Sequence, residues 1–343
     1  MNIIPIVIEA IVKILFVLSV TLLTVAYLVY FERRIAAWVQ DRLGPNRVGW
    51  QGILQPFADV LKLLLKEDIV PTNANKTIHF IAPIISLMVA VSTYAVIPWG
   101  PVTEMFGHQI KMVVADVNIG ILYVLALTSL GVYGITLAGW SSGSKYSLLG
   151  GIRSSAQMIS YEVSMGFSIA GVLLVAGSLR PYDIVNSQIS TLWNAILQPI
   201  GFITFVVSAF AETNRLPFDL PEAEPELVGG YHTEYSSMRF AAFFLAEYAN
   251  MIIASAMIVT LYLGGWGIPF IDKFALSNST IFWLSVLAFF IKVGIVLFFF
   301  ILVRWTIPRF RYDQLMKLGW YVMFPLSILN LIWVSVIIMI FKI

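Results

Sequence analysis

Eight stretches of this sequence are apolar over about 20 residues or more, and this feature limits the possible fold more than any other. A helix needs about 20 mostly apolar residues to cross the hydrocarbon core of a bilayer. The sequence therefore predicts an all-α integral membrane protein, a single domain over residues 1–343 with about eight transmembrane helices. The predicted spans are Ile6–Phe31, Ile78–Ile97, Asn118–Ala138, Ser154–Ala176, Thr191–Ala211, Phe240–Leu263, Thr280–Val303 and Leu318–Phe341.

The composition excludes several classes of protein. Charged residues make up only 12% of the chain, against about 25% in soluble domains, so an ordinary water-soluble enzyme is not expected. The net charge of +2 gives no basis for nucleic-acid binding. There is no Cys, and the three His residues are scattered singly, so we expect no metal site and no redox centre in this chain.

The positive charges predict the orientation in the membrane. Fifteen of the 21 Lys and Arg residues fall in the loops after the first, third, fifth and seventh predicted spans, and four fall on the opposite side. Positively charged loops remain on the cytoplasmic or matrix side. Both termini are therefore predicted to lie on the outer (periplasmic or intermembrane) side.

The first inner loop contains a predicted amphipathic helix over residues 48–66. Its polar residues recur every three or four positions and form one stripe, while Phe57, Leu61 and their neighbours form the opposite face. This pattern is typical of a helix lying flat in the membrane interface. Its apolar face could also line an entrance for a lipid-like molecule. The alternative is a soluble amphipathic helix packed on other loops.

Three carboxylates fall inside or at the end of predicted spans at similar depth. Glu162 and Glu247 lie within the fourth and sixth spans, and Glu212 closes the fifth. Ionisable groups in the membrane are costly and usually functional. They favour a proton path or a buried polar network; the alternative is that each is merely paired with an Arg.

An acidic loop over residues 212–239 follows the fifth predicted span. Six carboxylates lie between Glu212 and Glu234, and prolines recur every four residues at Pro217, Pro221 and Pro225, which excludes one regular helix. Crowded carboxylates raise one another's pKa, so some could hold protons near neutral pH. The alternative is a solvated acidic loop.

Four long motifs lie in order along the chain. They are Glu32-Arg33-Arg34 with Gln40–Asp68, then Ser144–Val163, Ala211–Met238 and Arg304–Trp320. Together they resemble the H subunits of the proton-translocating NADH–quinone oxidoreductase, respiratory complex I, a family that includes mitochondrial subunit 1. The resemblance covers essentially the whole chain.

The resemblance assigns roles to particular residues. It implies that quinone binds near the flat helix and the first inner loop, with a deeper part of the tunnel on the sixth span. The implied quinone-site residues are Arg33, Arg34, Arg42, Phe57, Asp59, Phe243 and Phe244. The implied proton-path residues are Glu162, Glu212, Asp219, Glu222, Glu224, Glu226 and Glu247. The implied ion-pair partners of the acidic-loop carboxylates Asp219, Glu222, Glu224 and Glu226 are Arg153, Arg215 and Arg304.

The resemblance also implies partners and a location. Such a protein joins the peripheral arm to the small and antiporter-like membrane subunits, takes quinone as substrate and couples its reduction to proton translocation. It binds no cofactor itself; FMN and iron–sulfur clusters belong to partner subunits. A bacterial cytoplasmic (inner) membrane is expected, with the mitochondrial inner membrane as alternative. The other functions left open are the membrane subunit of an energy-converting hydrogenase and a proton-coupled secondary transporter.

Overall fold

The computed structural model describes residues 3–105, 108–220, 227–269, 271 and 277–341. These residues form a bundle of helices with one short hairpin of strands β1 (Thr103–Met105) and β2 (His108–Ile110). A π-helical turn, Leu318–Met323, joins the last two helices into one span. The helices are α1 (Ile3–Val39), α2 (Gln55–Leu65), α3 (Lys76–Thr93), α4 (Gly120–Ser141), α5 (Lys145–Ala176), α6 (Pro181–Ser190), α7 (Asn194–Leu197), α8 (Pro199–Glu212), α9 (Ser237–Tyr262), α10 (Asn278–Thr306), α11 (Tyr312–Lys317) and α12 (Phe324–Phe341).

Seven long apolar helical segments within the described residues confirm the all-α integral membrane fold. They agree with seven of the eight predicted spans, although several extend further than the apolar runs. Helix α1 continues to Val39 and α5 begins at Lys145, because polar residues continue a helix once its end leaves the hydrocarbon.

The fifth predicted span, Thr191–Ala211, is not one continuous helix. There the apolar run is divided at Gln198 into α7 and α8. Pro199 has no N–H to donate, so it opens a new helix rather than continuing the old one. Helix α8 has 14 residues and is about 21 Å long, shorter than a hydrocarbon core of about 30 Å.

The amphipathic helix is shorter than the predicted range of 48–66. Helix α2 begins only at Gln55, and a turn precedes it. Gly49, Gln51 and Gly52 in that turn have positive φ values of 71°, 52° and 79°. A Cβ at Gly52 would lie 2.3 Å from the carbonyl oxygen of Pro45, so this close approach of two backbones requires glycine.

The bundle has two distinct ends. The loop-rich end carries the connections 40–75, 142–144 and 307–311 and the segments 213–220 and 227–236. The hairpin end carries β1, β2 and the segment 263–269 that follows α9. At the hairpin end Asp116 forms ion pairs with Lys111 and Arg180. The loop-rich end corresponds to the predicted inner side, and the orientation stays a prediction.

Helix α9 lies at the centre of the bundle. Of its most apolar stretch 72% is buried, against 22% for α1 and for the last span. Its side chains at the loop-rich end, including Phe243, Glu247 and Tyr248, therefore lie in the interior. A membrane helix enclosed by protein can carry ionisable groups that a lipid-exposed helix could not.

Candidate functional site

A buried charge cluster lies at the loop-rich end of α9. We define it as Glu32, Arg215, Glu247, Tyr248 and Arg304. Glu32 is 6% exposed and Arg215 is 3% exposed. The five residues come from α1, the connection after α8, α9 and α10, so four separate parts of the chain meet here.

Arg215 lies between the two carboxylates of this cluster. Its Nε atom is 2.7 Å from Oε1 of Glu247, and Nη1 is 3.3 Å from Oε2 of Glu32. Its guanidinium carbon lies 4.1 Å from the centre of the Tyr248 ring. Burial alone lowers the pKa of Arg215, but the nearby carboxylates of Glu247 and Glu32 hold that pKa well above its ordinary range.

Glu32 has two further partners. Arg304 forms an ion pair with its Oε1 atom, and the Tyr248 hydroxyl donates a hydrogen bond of 2.7 Å to Oε2. Two carboxylates and two guanidinium groups make the cluster neutral as a whole. Pairing each charge with an opposite charge is what allows these groups to remain buried.

The connection after α8 is folded into the protein, which brings Arg215 to the cluster. The Gln157 amide donates hydrogen bonds of 2.7 Å to the carbonyl oxygens of Ala211 and Phe218. Asp219, 4% exposed, pairs with Arg309 at 2.9 Å. The alternative of a solvated acidic loop is therefore wrong for residues 213–220. Glu222, Glu224 and Glu226 lie outside the described residues.

A groove of about 220 Å³ opens beside the cluster. Its wall combines apolar side chains with arginines, a combination that suits an apolar molecule with a polar head. Three of the predicted quinone-site residues lie here, namely Arg33, Arg42 and Phe244. The full lining is Val29, Glu32, Arg33, Ala36, Arg42, Phe244, Tyr248, Arg304 and Trp305.

Helix α2 lies next to this groove, and two residues of its polar stripe, Gln55 and Asp59, face the protein. Asp59 pairs with Arg33 of α1 at 2.8 Å and accepts a hydrogen bond of 3.0 Å from Gln55. On the other face Phe57 is 54% exposed and Leu61 is 59% exposed. The apolar face is therefore not packed on other loops within the described residues, contrary to the soluble alternative.

Arg34, the remaining predicted quinone-site arginine, lies apart from the groove. Its guanidinium contacts the Pro45 carbonyl oxygen and the Gln51 side chain at 3.4 Å each, and it lies 6.0 Å from the Tyr30 ring centre. These contacts hold the turn before α2 against α1.

An internal cavity of about 70 Å³ lies on the other side of Arg215. This volume accommodates a few water molecules. Most of the lining is apolar, but Thr128, Glu212, Asn214, Glu247 and Asn250 contribute polar groups, and Phe243 also contributes to the wall. Phe243 and Phe244 are thus neighbours in sequence that line different spaces.

Glu162 and Glu212 are connected through α4. The Ser129 hydroxyl donates a hydrogen bond to Glu162, and the adjacent Thr128 hydroxyl is hydrogen-bonded to Glu212. Glu212 and Glu247 line the same cavity. Polar groups therefore follow one another from Glu162 to Glu247, as the similar depths of these carboxylates predict.

From Glu247 the connection continues to the groove through a single side chain. Arg215 contacts Glu247, which lines the cavity, and Glu32, which lines the groove. One guanidinium group thus joins a carboxylate of the groove to a carboxylate of the cavity.

Within the described residues, the arginines predicted as partners of the acidic loop have the following contacts. Arg215 and Arg304 pair with Glu32 and Glu247, while Arg309 pairs with Asp219. The guanidinium carbon of Arg153 lies 5.8 Å from the Tyr312 ring centre.

Sequence reasoning missed Glu32 and Arg309 as site residues. Glu32 directly follows an apolar run and precedes Arg33 and Arg34. Its sequence context therefore predicts an exposed, charged end of the first span. Only the contact with a distant arginine distinguishes it from an exposed residue. Across the described ranges no group of three or more His, Asp or Glu side chains is arranged to hold a metal ion.

Comparison with known proteins identifies the family of this chain. The family model described as NADH dehydrogenase matches residues 12–335. An H subunit of the NADH-quinone oxidoreductase of Cytophaga hutchinsonii is 49% identical over 95% of both chains. The H subunit of Salinibacter ruber is 51% identical over 95% of this chain and 94% of its own length, and subunit 8 of Rhodothermus marinus is 52% identical over 93% and 94%. The chain therefore belongs to the NADH dehydrogenase family, among the H subunits of NADH-quinone oxidoreductase.

Proposed function

We propose that this chain forms part of the quinone site of the oxidoreductase and the first section of its proton path. The groove beside Glu32 receives the quinone headgroup, and the exposed apolar face of α2 guides its tail from the bilayer. Arg33, Arg42 and Phe244 contribute to the wall. The cavity beside Glu247 is where the proton path begins.

The observation that carries this proposal is the position of Arg215. Its guanidinium is shared between Glu32 on the groove side and Glu247 on the cavity side. Electron transfer to a quinone leaves transient negative charge in the groove, which draws the guanidinium toward Glu32. Glu247 then loses part of its partner and takes up a proton from the cavity. Proton uptake by the quinone reverses the shift.

The rest of the path follows from the polar connections of the cavity. A proton reaches Glu247 from Glu212, and Glu212 exchanges protons with Glu162 through the hydroxyls of Thr128 and Ser129. Asp219 belongs to the segment that holds Arg215 in place. Glu222, Glu224 and Glu226, which lie outside the described residues, follow in the same loop and are part of the same proposed path.

Location and partners follow from the same proposal. The loop-rich end faces the cytoplasm, where it receives the quinone-module subunits of the peripheral arm, which carry FMN and the iron–sulfur clusters. The small and antiporter-like membrane subunits adjoin the exposed spans. The chain itself binds no such cofactor. Its length and full inner loops favour a bacterial cytoplasmic membrane over the mitochondrial inner membrane.

Two other functions fit the chain less well. A proton-coupled transporter does not need the long charged loops at one end, and an energy-converting hydrogenase does not use a quinone. The names of the relatives, all subunits of NADH-quinone oxidoreductase, support the quinone enzyme.

The test compares Glu247→Gln and Glu162→Gln in the assembled complex. Glutamine keeps the size and the hydrogen bonding of glutamate but cannot titrate. We expect quinone-linked turnover and proton pumping to fall together by about tenfold or more, while NADH oxidation by a soluble artificial acceptor stays normal.

Glu104→Gln is the matched control, because Glu104 is an exposed glutamate at the hairpin end, far from the cluster. Full pumping and full turnover in both buried variants would refute the proton role. Equal loss of the quinone-linked and artificial-acceptor activities would instead report a failure of assembly, which retention of the chain in the purified complex checks.

A further inference from the structure

A second set of polar side chains is buried where α5, α8 and α12 meet. We call it the polar junction. It lies beyond the cluster toward the hairpin end, contains no charged residue, and each of its members is 0% exposed. The members are Ser164, Ser168, Gln198, Thr204, Ser208, Ser327 and Asn330.

The register of α5 against α8 orders these residues along the membrane. The hydroxyls of Ser168 and Thr204 are 2.6 Å apart. Because the two helices are antiparallel, one turn toward the loop-rich end brings Ser164 opposite Ser208. One further turn along the same face of α8 is Glu212. The hydroxyls therefore form a row that ends at a proposed proton-path carboxylate.

In the other direction, toward the hairpin end, the row continues to the start of α8. The Asn330 amide donates to Oε1 of Gln198 at 3.2 Å and accepts from the Gly201 N–H at 2.9 Å. A Cβ at Gly171 would lie 2.6 Å from Oε1 of Gln198, so glycine leaves room for these amides. Pro199, next to Gln198, is exposed.

Several polar atoms of the junction have no hydrogen-bond partner among the described residues. They are the hydroxyls of Ser164 and Ser208 and the Nε2 atom of Gln198. Polar groups buried without a hydrogen bond are costly, and native proteins normally satisfy them with protein groups or with internal water. Small polar residues also help helices pack in membranes, but packing alone does not satisfy these atoms.

We propose that the polar junction binds a row of water molecules that extends the proton path from Glu212 to the hairpin end. This inference rests on the proposed role of Glu212. From Glu212 to Pro199 the distance along α8 is about 20 Å. Hydroxyl, amide and water groups both donate and accept hydrogen bonds. Such a row can therefore pass a proton without holding a charge.

The chemistry of the lining also restricts which ions can pass along the row. With no ionisable side chain in the junction, nothing there holds a fixed counter-charge for a metal cation. Proton transfer along the row only exchanges which oxygen carries each hydrogen. Glu212 supplies or receives the proton at one end, and bulk water does so at the other.

The variant that tests this is Ser164→Ala with Ser208→Ala, measured in the assembled complex. We expect normal NADH oxidation by a soluble acceptor, and quinone-linked turnover and pumping both lower by about tenfold. The control is Ser255→Ala on α9, whose equally buried hydroxyl donates to the Met251 carbonyl oxygen at 2.8 Å and lies outside the junction. We expect that control to keep full pumping.

Glu247→Gln is measured beside the double variant. If Glu247→Gln slows pumping and the double variant does not, the row carries no protons, and the proposed function stands without it. If neither slows pumping, both proposals fail. A second measurement does not depend on assembly of a variant: the density map of the wild-type complex should show water between Ser164 and Ser208. Two hydroxyls in direct contact, with no water, would overturn the inference.

Discussion

The charge cluster and the polar junction are both buried within one membrane bundle. They differ in the partners that stabilise their buried polar groups. In the cluster every ion has an ionic partner, and those partners come from α1, α9, α10 and the connection after α8. In the junction the groups are neutral, and some have no hydrogen-bond partner among the described residues.

The difference follows from what each kind of group costs. A buried charge without a partner costs several kcal/mol, whereas a buried hydroxyl costs about 1–3 kcal/mol and can be satisfied by one water molecule. A buried charge therefore needs an oppositely charged partner that the folded structure already places beside it. Neutral groups leave space that water can occupy. Four substitutions test how much buried charges and neutral surroundings each contribute to stability.

Arg215→Met should have the largest effect. It leaves Glu32 and Glu247 buried with less positive charge, which we expect to destabilise the chain by about 3–5 kcal/mol. The measurement is the Tm of the purified complex and the fraction of this chain retained in it. Arg47→Met, at an exposed position of the same end, is the control and should change little.

A second substitution identifies the cause of that loss. Adding Glu247→Gln to Arg215→Met removes one of the stranded carboxylates, so the double variant should be more stable than Arg215→Met alone. Further destabilisation by Glu247→Gln would mean that the cluster is held by packing rather than by its charges.

Lys292→Met should have an intermediate effect. Nζ of Lys292 donates to the carbonyl oxygens of Leu263, Gly265 and Gly267 at 2.8, 3.0 and 2.7 Å. These acceptors are neutral, so the substitution leaves no unpaired charge, and we expect a loss of about 1–3 kcal/mol in the same Tm assay. A loss as large as that of Arg215→Met would contradict the distinction between charged and neutral surroundings.

Asp116→Asn, at the hairpin end, should have the smallest effect and should depend on pH. Partial burial raises the pKa of Asp116, but the hydrogen bonds from Lys111 and Arg180 outweigh it and lower that pKa below its ordinary value. The folded pKa is therefore below the unfolded one. The ion pairs stabilise the protein above about pH 4, and this contribution is lost as the pH falls through the folded pKa.

We expect the substitution to cost about 1 kcal/mol or less at pH 7. The difference in Tm between the wild type and the variant should shrink as the pH is lowered below 4. A difference that stays constant over that range would show that the Asp116 charge contributes nothing.

The site could be predicted in part. The depths of Glu162, Glu212 and Glu247 follow from their positions within apolar runs, and the structure connects them. The contacts of the arginines could not be predicted, because any of them can reach several carboxylates from its place in the sequence. Arg309 rather than Arg153 pairs with Asp219 because the connection after α8 turns back against α10 and α11.

The sequence by itself determined the all-α membrane fold, because long apolar runs can be satisfied only inside a bilayer. It also determined the amphipathic character of α2, since helical periodicity is a local property. Tertiary structure alone decided that the fifth apolar run forms a short helix and that Glu32 is a buried ion. It also decided that Arg215 contacts both Glu32 at the groove and Glu247 at the cavity. The physical reason is that a hydropathy pattern records whether a residue avoids water, whereas the partner of a buried charge is set by which helices meet.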